Sequence, residues 1–307
     1  DVQLGFRVAD SIESDPMLIS HLVRLAIFQI TLNTVWEGLA RHRWNDPELV
    51  ELQKRISSVD LLAGYMHAMR GERAFSNDLM DKLRRGRFPA FENVFGDSEM
   101  ASLKQVTTWA PSGFLYQNQL HINRLHQEHT LRIIDPAEHR IYPECWPKMD
   151  NPPELRRVTP YNIFARMLFP ALAKTGLKTA LRQTFLDEAS IACALERFRL
   201  ANGQYPETLA ALTPRFLERI PHDVVSGEPL KYRRTADGDF ILYCVGWNQT
   251  NDGGAVAMTR GKTPGPDGVK AALPRITSYA TLFDSTVKHA LLWGIDAERE
   301  RRVNVFN

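Results

Sequence analysis

Ala194–Leu212, ALERFRLANGQYPETLAAL, and Ile220–Gly254, IPHDVVSGEPLKYRRTADGDFILYCVGWNQTNDGG, hold the most specific pattern in the chain. Asn202-Gly203 is a helix stop, because glycine tolerates the left-handed conformation that closes a helix. The helix it ends is expected from about Ala171 or Lys174 to Ala201, with Phe185, Ile191, Leu195 and Phe198 on one apolar face. Pro206-Glu207-Thr208-Leu209 opens a short helix. Leu230–Thr235 and Phe240–Val245 read as two strands. The Ala236-Asp237-Gly238-Asp239 link between them is a hairpin, since Asp-Gly favours the tight turn that matches strand twist. These elements predict one α+β unit, with the long helix packed across a small antiparallel sheet. Ala255–Thr259 offers a third strand.

Upstream, the pattern is helical. Gln3–Ile12 reads as an opening helix. Asp15-Pro16 pairs an N-cap acid with a first-turn proline. The run after it, to about Arg41, sets Ile19, Leu22, Val23, Ala26, Ile27, Ile30 and Val35 near a 3.6-residue period. Asn45-Asp46-Pro47-Glu48 repeats the start signal, ahead of Leu49, Leu52 and Ile56. Val59 to about Arg70 forms a further helix with Leu62, Tyr65, Met66 and Met69 inward. Phe88–Ala110 lacks periodicity and reads as a long loop held on the surface by its aromatics. Pro111 to about Ile134 is helical, stopped by Asp135-Pro136. A proline-rich coil follows. Thr159-Pro160 then opens a helix with Phe164, Leu168 and Leu172 inward, and Pro170 is a kink position. Lys262–Gly268 is a linker, and Thr277–Arg302 reads as helix. The expected fold is mainly α: a multi-helix N-terminal part followed by a small α+β unit. The divisions are residues 1–135, 136–158 (the proline-rich connection), 159–260 and 261–307.

Composition narrows the function classes. The chain has 307 residues, is 44% hydrophobic and carries a net charge of +2. That is enough chain and apolar content for a sizeable core, and too little basic excess to expect a nucleic-acid partner. Cys145, Cys193 and Cys244 make neither a disulfide framework nor a zinc knuckle. The most apolar stretch, Leu18–Leu32, is interrupted by His21, Arg24 and Gln29 and reads as a buried helix rather than a membrane span.

Motif chemistry is sparse. His121, His126, Glu128 and His129 lie on one predicted helix, and His126 and His129 are spaced to share a face. His-Gln-Glu-His is nevertheless one residue short of the zinc-protease form His-x-x-Glu-His, and a polar helical face is the commoner use. Glu72-Arg73 is either an acid and anion clamp or an ion pair locking a helix end. Glu188 and Glu196, two turns apart on the long helix, put two carboxylates on one face; a solvated face is commoner than a catalytic pair. Tyr232, Phe240 and Tyr243 could stack ligands, but alternating strand aromatics more often pack the sheet. There is no nucleophile elbow, phosphate loop or dinucleotide fingerprint. No catalytic or cofactor-binding residue is assigned.

On the residues Tyr205-Pro206, Leu209, Leu212, Pro221, Asp223, Gly227, Tyr232, Gly246 and Asp252-Gly253-Gly254, about a quarter of the chain resembles the C-terminal part of the major pseudopilins of type II secretion. That resemblance implies a long helix, a small antiparallel sheet and a calcium loop. Unlike a pseudopilin, this chain places other helices ahead of the long one. Taken whole, apart from the tail after Gly261, and through DPMLISHLVRLAI (15–27), RGERAF (70–75), YNIFARMLFPAL (161–172) and the tyrosine–proline segment, it resembles a family of planctomycete and verrucomicrobial membrane-anchored helical proteins. The resemblance implies an N-terminal anchor upstream of Asp1 and a large extracytoplasmic part. It implies no activity.

The loop Trp247–Gly254 is the expected metal position. Asn248, Asn251 and Asp252 supply side-chain oxygens and two glycines permit the turn, as a hard cation such as calcium requires. Asp252 is its one carboxylate, unless Asp223 or Asp267 folds in. The competing use is a turn in which Asn and Asp cap their own backbone. Together these readings predict a non-catalytic, extracytoplasmic structural or protein-interaction protein with a protein partner. A membrane would be met only through the anchor. The alternative is an extracytoplasmic hydrolase with a site built from dispersed carboxylates and histidines.

Overall fold

A computed structural model describes residues 1–86, 111–145, 152–236, 238–245, 251 and 276–277. Among these the protein is mainly α-helical. The chain divides into two compact units, neither of them a single stretch. One comprises Asp1–Asp10, Leu25–Leu61 and Ala180–Asn307, and the other Ser11–Arg24 and Leu62–Thr179.

The first unit contains most of α1 (Val2–Ser11), the later turns of α2 (Leu18–Ala40), and α3 (Asp46–Ser57). α3 starts on the capping box read from its sequence. Asn45 Oδ1 accepts from the Glu48 amide at 3.0 Å, and Glu48 Oε2 accepts from the Asn45 amide at 2.9 Å. Phe6 and Phe28 join α1 to α2 with ring centroids 5.8 Å apart. The last turns of the long helix α7 (Ile163–Asn202) complete the helical core, and Ile191 and Leu195 are wholly buried. α7 is a single 40-residue helix that continues through Pro170, where the sequence predicts two helices. It ends as expected, with Gly203 at φ 77° and its amide donating to the Arg199 carbonyl at 2.7 Å.

The hairpin lies in the same unit. β3 (Lys231–Arg234) pairs antiparallel with β4 (Phe240–Tyr243), Tyr232 opposite Leu242, and Gly238 takes φ 89° in the turn. β4 is central, because β5 (Ile276–Thr277) pairs on its other edge. All four β4 residues are buried, as an uninterrupted apolar run in a central strand requires. Thr277 is therefore strand, not the start of a helix. The short helix expected after Pro206 is one 3-10 turn at Leu209–Leu212. The proposed strand Ala255–Thr259, the loop Phe88–Ala110 and the helix beyond Thr277 lie outside the described residues.

The second unit holds the first turns of α2, α4 (Leu61–Arg84) and α5 (Ser112–Leu125), with the early turns of α7. α4 does not end at Arg70. It runs on to Arg84, and Gly71 lets it press against the carbonyl of Pro16: a Cβ there would sit 1.9 Å from that oxygen. Glu72 beside it accepts from the Leu18 amide at 2.9 Å, placing a carboxylate at the start of α2. The ion pair expected of Glu72 and Arg73 is thus a helix cap by Glu72 alone, while Arg73 reaches Gln127. Gly71→Ala is expected to destabilise the protein by about 2–3 kcal/mol, because a backbone carbonyl cannot rotate away from the added methyl. Urea unfolding of the variant measures it, and an unchanged midpoint would dismiss the close approach.

α2 ends beside the predicted Arg41, but it starts at Leu18, beyond the start predicted at Asp15-Pro16, and it does not bury the predicted face. Ile19 and Val23 are exposed, whereas His21 and Arg24 are buried. His21 Nε2 pairs with Thr179 Oγ1 at 2.9 Å, and Arg24 bonds Glu13 at 2.6 Å. Each buried polar group has a partner, which makes its burial tolerable. Asn77 and Asn123 join α4 to α5 by reciprocal amide bonds of 3.1 and 2.6 Å. The helix predicted over Pro111–Ile134 stops short of its expected end, and a hairpin of two-residue strands, β1 (Ile134–Asp135) with β2 (Arg140–Ile141), starts at its last expected residue.

Candidate functional site

The end of α5 departs from α geometry. His126–Thr130 forms a π-helical turn, with the Leu131 amide donating to the His126 carbonyl at 3.0 Å. Such single turns recur at functional positions. The wider turn draws successive residues angularly closer than an α-helix does, so side-chain spacings derived from a 3.6-residue period do not apply here.

His126 and His129 are both buried, contrary to the solvated polar face expected of them. They do not converge on one point. His126 Nδ1 pairs with Thr130 Oγ1 at 3.0 Å. Burial, helped by the charge of Arg73, pushes its pKa down to about 4, so the ring is neutral at physiological pH. His129 faces elsewhere. Its ring lies edge-on to Phe169 at 5.9 Å, and Nε2 is 3.5 Å from Glu154 Oε2. Glu154 comes from α6 (Pro153–Arg156), in the connection read as proline-rich coil. Neither of the two facing atoms makes a hydrogen bond. Glu128, exposed on the π turn, completes a group whose three ligand atoms all lie within 4.8 Å of one another. Sequence spacing suggested His126 with His129. It gave no sign of Glu154.

Glu188 and Glu196 of α7 are fully buried rather than solvated, and they meet opposite environments. Glu196 is saturated. Arg199 donates to both its oxygens at 2.8 and 2.6 Å, His42 pairs with Oε1 at 2.8 Å, and the Tyr205 hydroxyl donates to Oε2 at 2.9 Å. Burial alone would raise its pKa, but the bonds from Arg199, His42 and Tyr205 outweigh that and hold it below the usual glutamate range. Glu188 has no hydrogen bond at either oxygen. Burial, then the nearby charges of Asp223 and Asp187, raise its pKa well above that range. Cys193, also on this helix, is inert for the same reason: burial pushes its thiol up to about 12.

The strand aromatics pack. Phe240 meets Tyr205 edge-on at 4.9 Å and stacks with Tyr232 at 6.0 Å, while the Tyr232 hydroxyl donates to the Pro206 carbonyl at 2.6 Å. Tyr205 therefore links Glu196 of the long helix to the sheet. Of the expected calcium ligands, Asn248 and Asp252 lie outside the described residues, as does Asp267. Asn251 is exposed, and its Oδ1 accepts from Tyr243 at 3.1 Å. Asp223 is committed to its own turn, accepting from the Val225 amide, the Ser226 hydroxyl and the Val245 amide at 2.8, 3.1 and 3.0 Å.

α1 and the later part of α2 each leave an apolar side in solvent. Leu4 is 63% exposed, Val8 45% and Ile30 64%. Ala26, one turn before Ile30, is exposed too. By length and composition α2 is the one helix among the described residues that could cross a membrane, and 44% of its most apolar window is buried within the fold. Comparisons of the chain with protein-family models, curated proteins and solved structures give no match.

Proposed function

We propose that this is a non-catalytic, membrane-anchored interaction protein whose folded part lies outside the cytoplasm and holds a protein partner. The observation that carries this reading is that α1 keeps Leu4 and Val8, and α2 keeps Ala26 and Ile30, exposed to solvent. Burying large aliphatic side chains such as Leu4, Val8 and Ile30 stabilises by about 1.5–3 kcal/mol each, so a helix that keeps them in water is available for a partner. Arg7 is the one charged residue exposed on α1, too little to favour an anionic lipid surface over a protein. The occupant that fits is an apolar helix face of another protein. The pseudopilin-like order of long helix, tyrosine-proline turn and hairpin supports an envelope setting.

A photo-crosslinking residue at position 30 in the full-length protein, expressed in its own host, tests this. A discrete protein adduct is expected, lost when Leu4 and Val8 are both changed to Asp and missing from a crosslinker placed at exposed Glu51. Adducts to lipid alone would overturn the reading. A hydrolase is the second reading, favoured by the convergence of Glu128, His129 and Glu154. Turnover on an ester, glycoside or peptide panel, abolished by Glu154→Gln, would transfer the conclusion to it.

A further inference from the structure

We infer that Glu128, His129 and Glu154 form a three-ligand site for a divalent transition-metal ion of the zinc type. His129 is 6% exposed, and its Nε2 and Glu154 Oε2 are both buried and without hydrogen bonds while facing one another at 3.5 Å. Buried polar atoms ordinarily find hydrogen-bond partners, because one left without a partner has lost its hydration with nothing in return. A cation between the two satisfies both at once. Ligand atoms about 2.1 Å from a tetrahedral metal lie about 3.4 Å apart, which the 3.5 Å separation matches.

The donor set decides the class of ion. One imidazole nitrogen and two carboxylate oxygens suit zinc and its first-row neighbours, whereas calcium takes six to eight oxygens. The fold orients the ligands from two directions. The π turn carries Glu128 and His129, the Phe169 ring holds the imidazole edge-on at 5.9 Å, and α6 presents Glu154. Glu128 is exposed, so the group opens to solvent on its side and leaves a coordination position for water or for an oxygen of a bound molecule. The site stands independently of the docking face on α1 and α2.

Calorimetric titration of the metal-free full chain with zinc chloride tests the inference, alongside Glu128→Gln, His129→Ala and Glu154→Gln. Removing an outer-shell partner already weakens metal sites by about 10–100-fold, so losing His129 or Glu154 is expected to weaken binding by at least about 100-fold, and losing Glu128 by at least about 10-fold. Glu128 is exposed, so its variant reads out binding even where the buried substitutions disturb folding; circular dichroism checks each. X-ray absorption of the one-to-one complex should show nitrogen and oxygen ligands with a single imidazole. Unchanged affinity in Glu128→Gln and Glu154→Gln would overturn the assignment. So would sulfur or several imidazoles in the coordination shell, or no binding by the wild type at tens of micromolar zinc, roughly the range of weak sites.

Discussion

Replacing Glu196 with alanine is expected to destabilise the protein by about 3 kcal/mol, the lower end of the cost of breaking a buried ion pair, since part of the Arg199 guanidinium reaches solvent. The substitution strands the Arg199 donors, the Tyr205 hydroxyl and the His42 ring at once. Tyr205→Phe removes one neutral donor and should cost about 1 kcal/mol. Its effect should not add to that of Glu196→Ala, because the two share one network. The sign with pH follows from a carboxyl held below its ordinary range in the fold. The stabilisation is present above the pKa of an unfolded glutamate and is lost as pH falls through the lower, folded value. Urea unfolding of wild type and both variants between pH 3 and 7 measures this. A cost for Glu196→Ala below that of Tyr205→Phe would show that the network is not held together by its carboxylate.

Glu188 should behave in the opposite sense. Its carboxyl is buried without a hydrogen bond, and burial with the charges of Asp223 and Asp187 favours the neutral form. For such a group the stability is fully present below the unfolded pKa and declines as pH rises, by about 1.4 kcal/mol per pH unit until the folded pKa is passed. Glu188→Gln keeps the shape and cannot ionise. The variant should therefore match the wild type near pH 4 and become the more stable of the two as pH rises to 8. Parallel stability curves for the two proteins across that range would mean that Glu188 is paired or hydrated in solution. Two carboxylates two turns apart on one helix face thus carry opposite pH signatures, decided by what the rest of the first unit brings to each.

Local rules account for what could be read in advance. The Asn45–Glu48 capping box, the Asn202-Gly203 stop and the Asp-Gly hairpin each depend on backbone preferences within a few residues, and each stands where the sequence places it. The mainly α character and the antiparallel hairpin after the long helix follow from the same rules. Facing could not be read in the same way. α2 is apolar on nearly every side, so its period does not choose between burying Ile19 with Val23 and burying His21 with Arg24. Thr179 and Glu13 decide that, by bonding the polar pair. Likewise Gly71 has no meaning until Pro16 lies against it. The assembly of each unit from segments far apart in sequence is equally absent from chain order. Of the candidate metal group the sequence offered His129 and Glu128, with His126 rather than Glu154 beside them. An extra residue in the π turn redirected His129, and a segment 25 positions downstream delivered Glu154. A helical period carries no information about either event, since both are set by packing between residues distant in the chain.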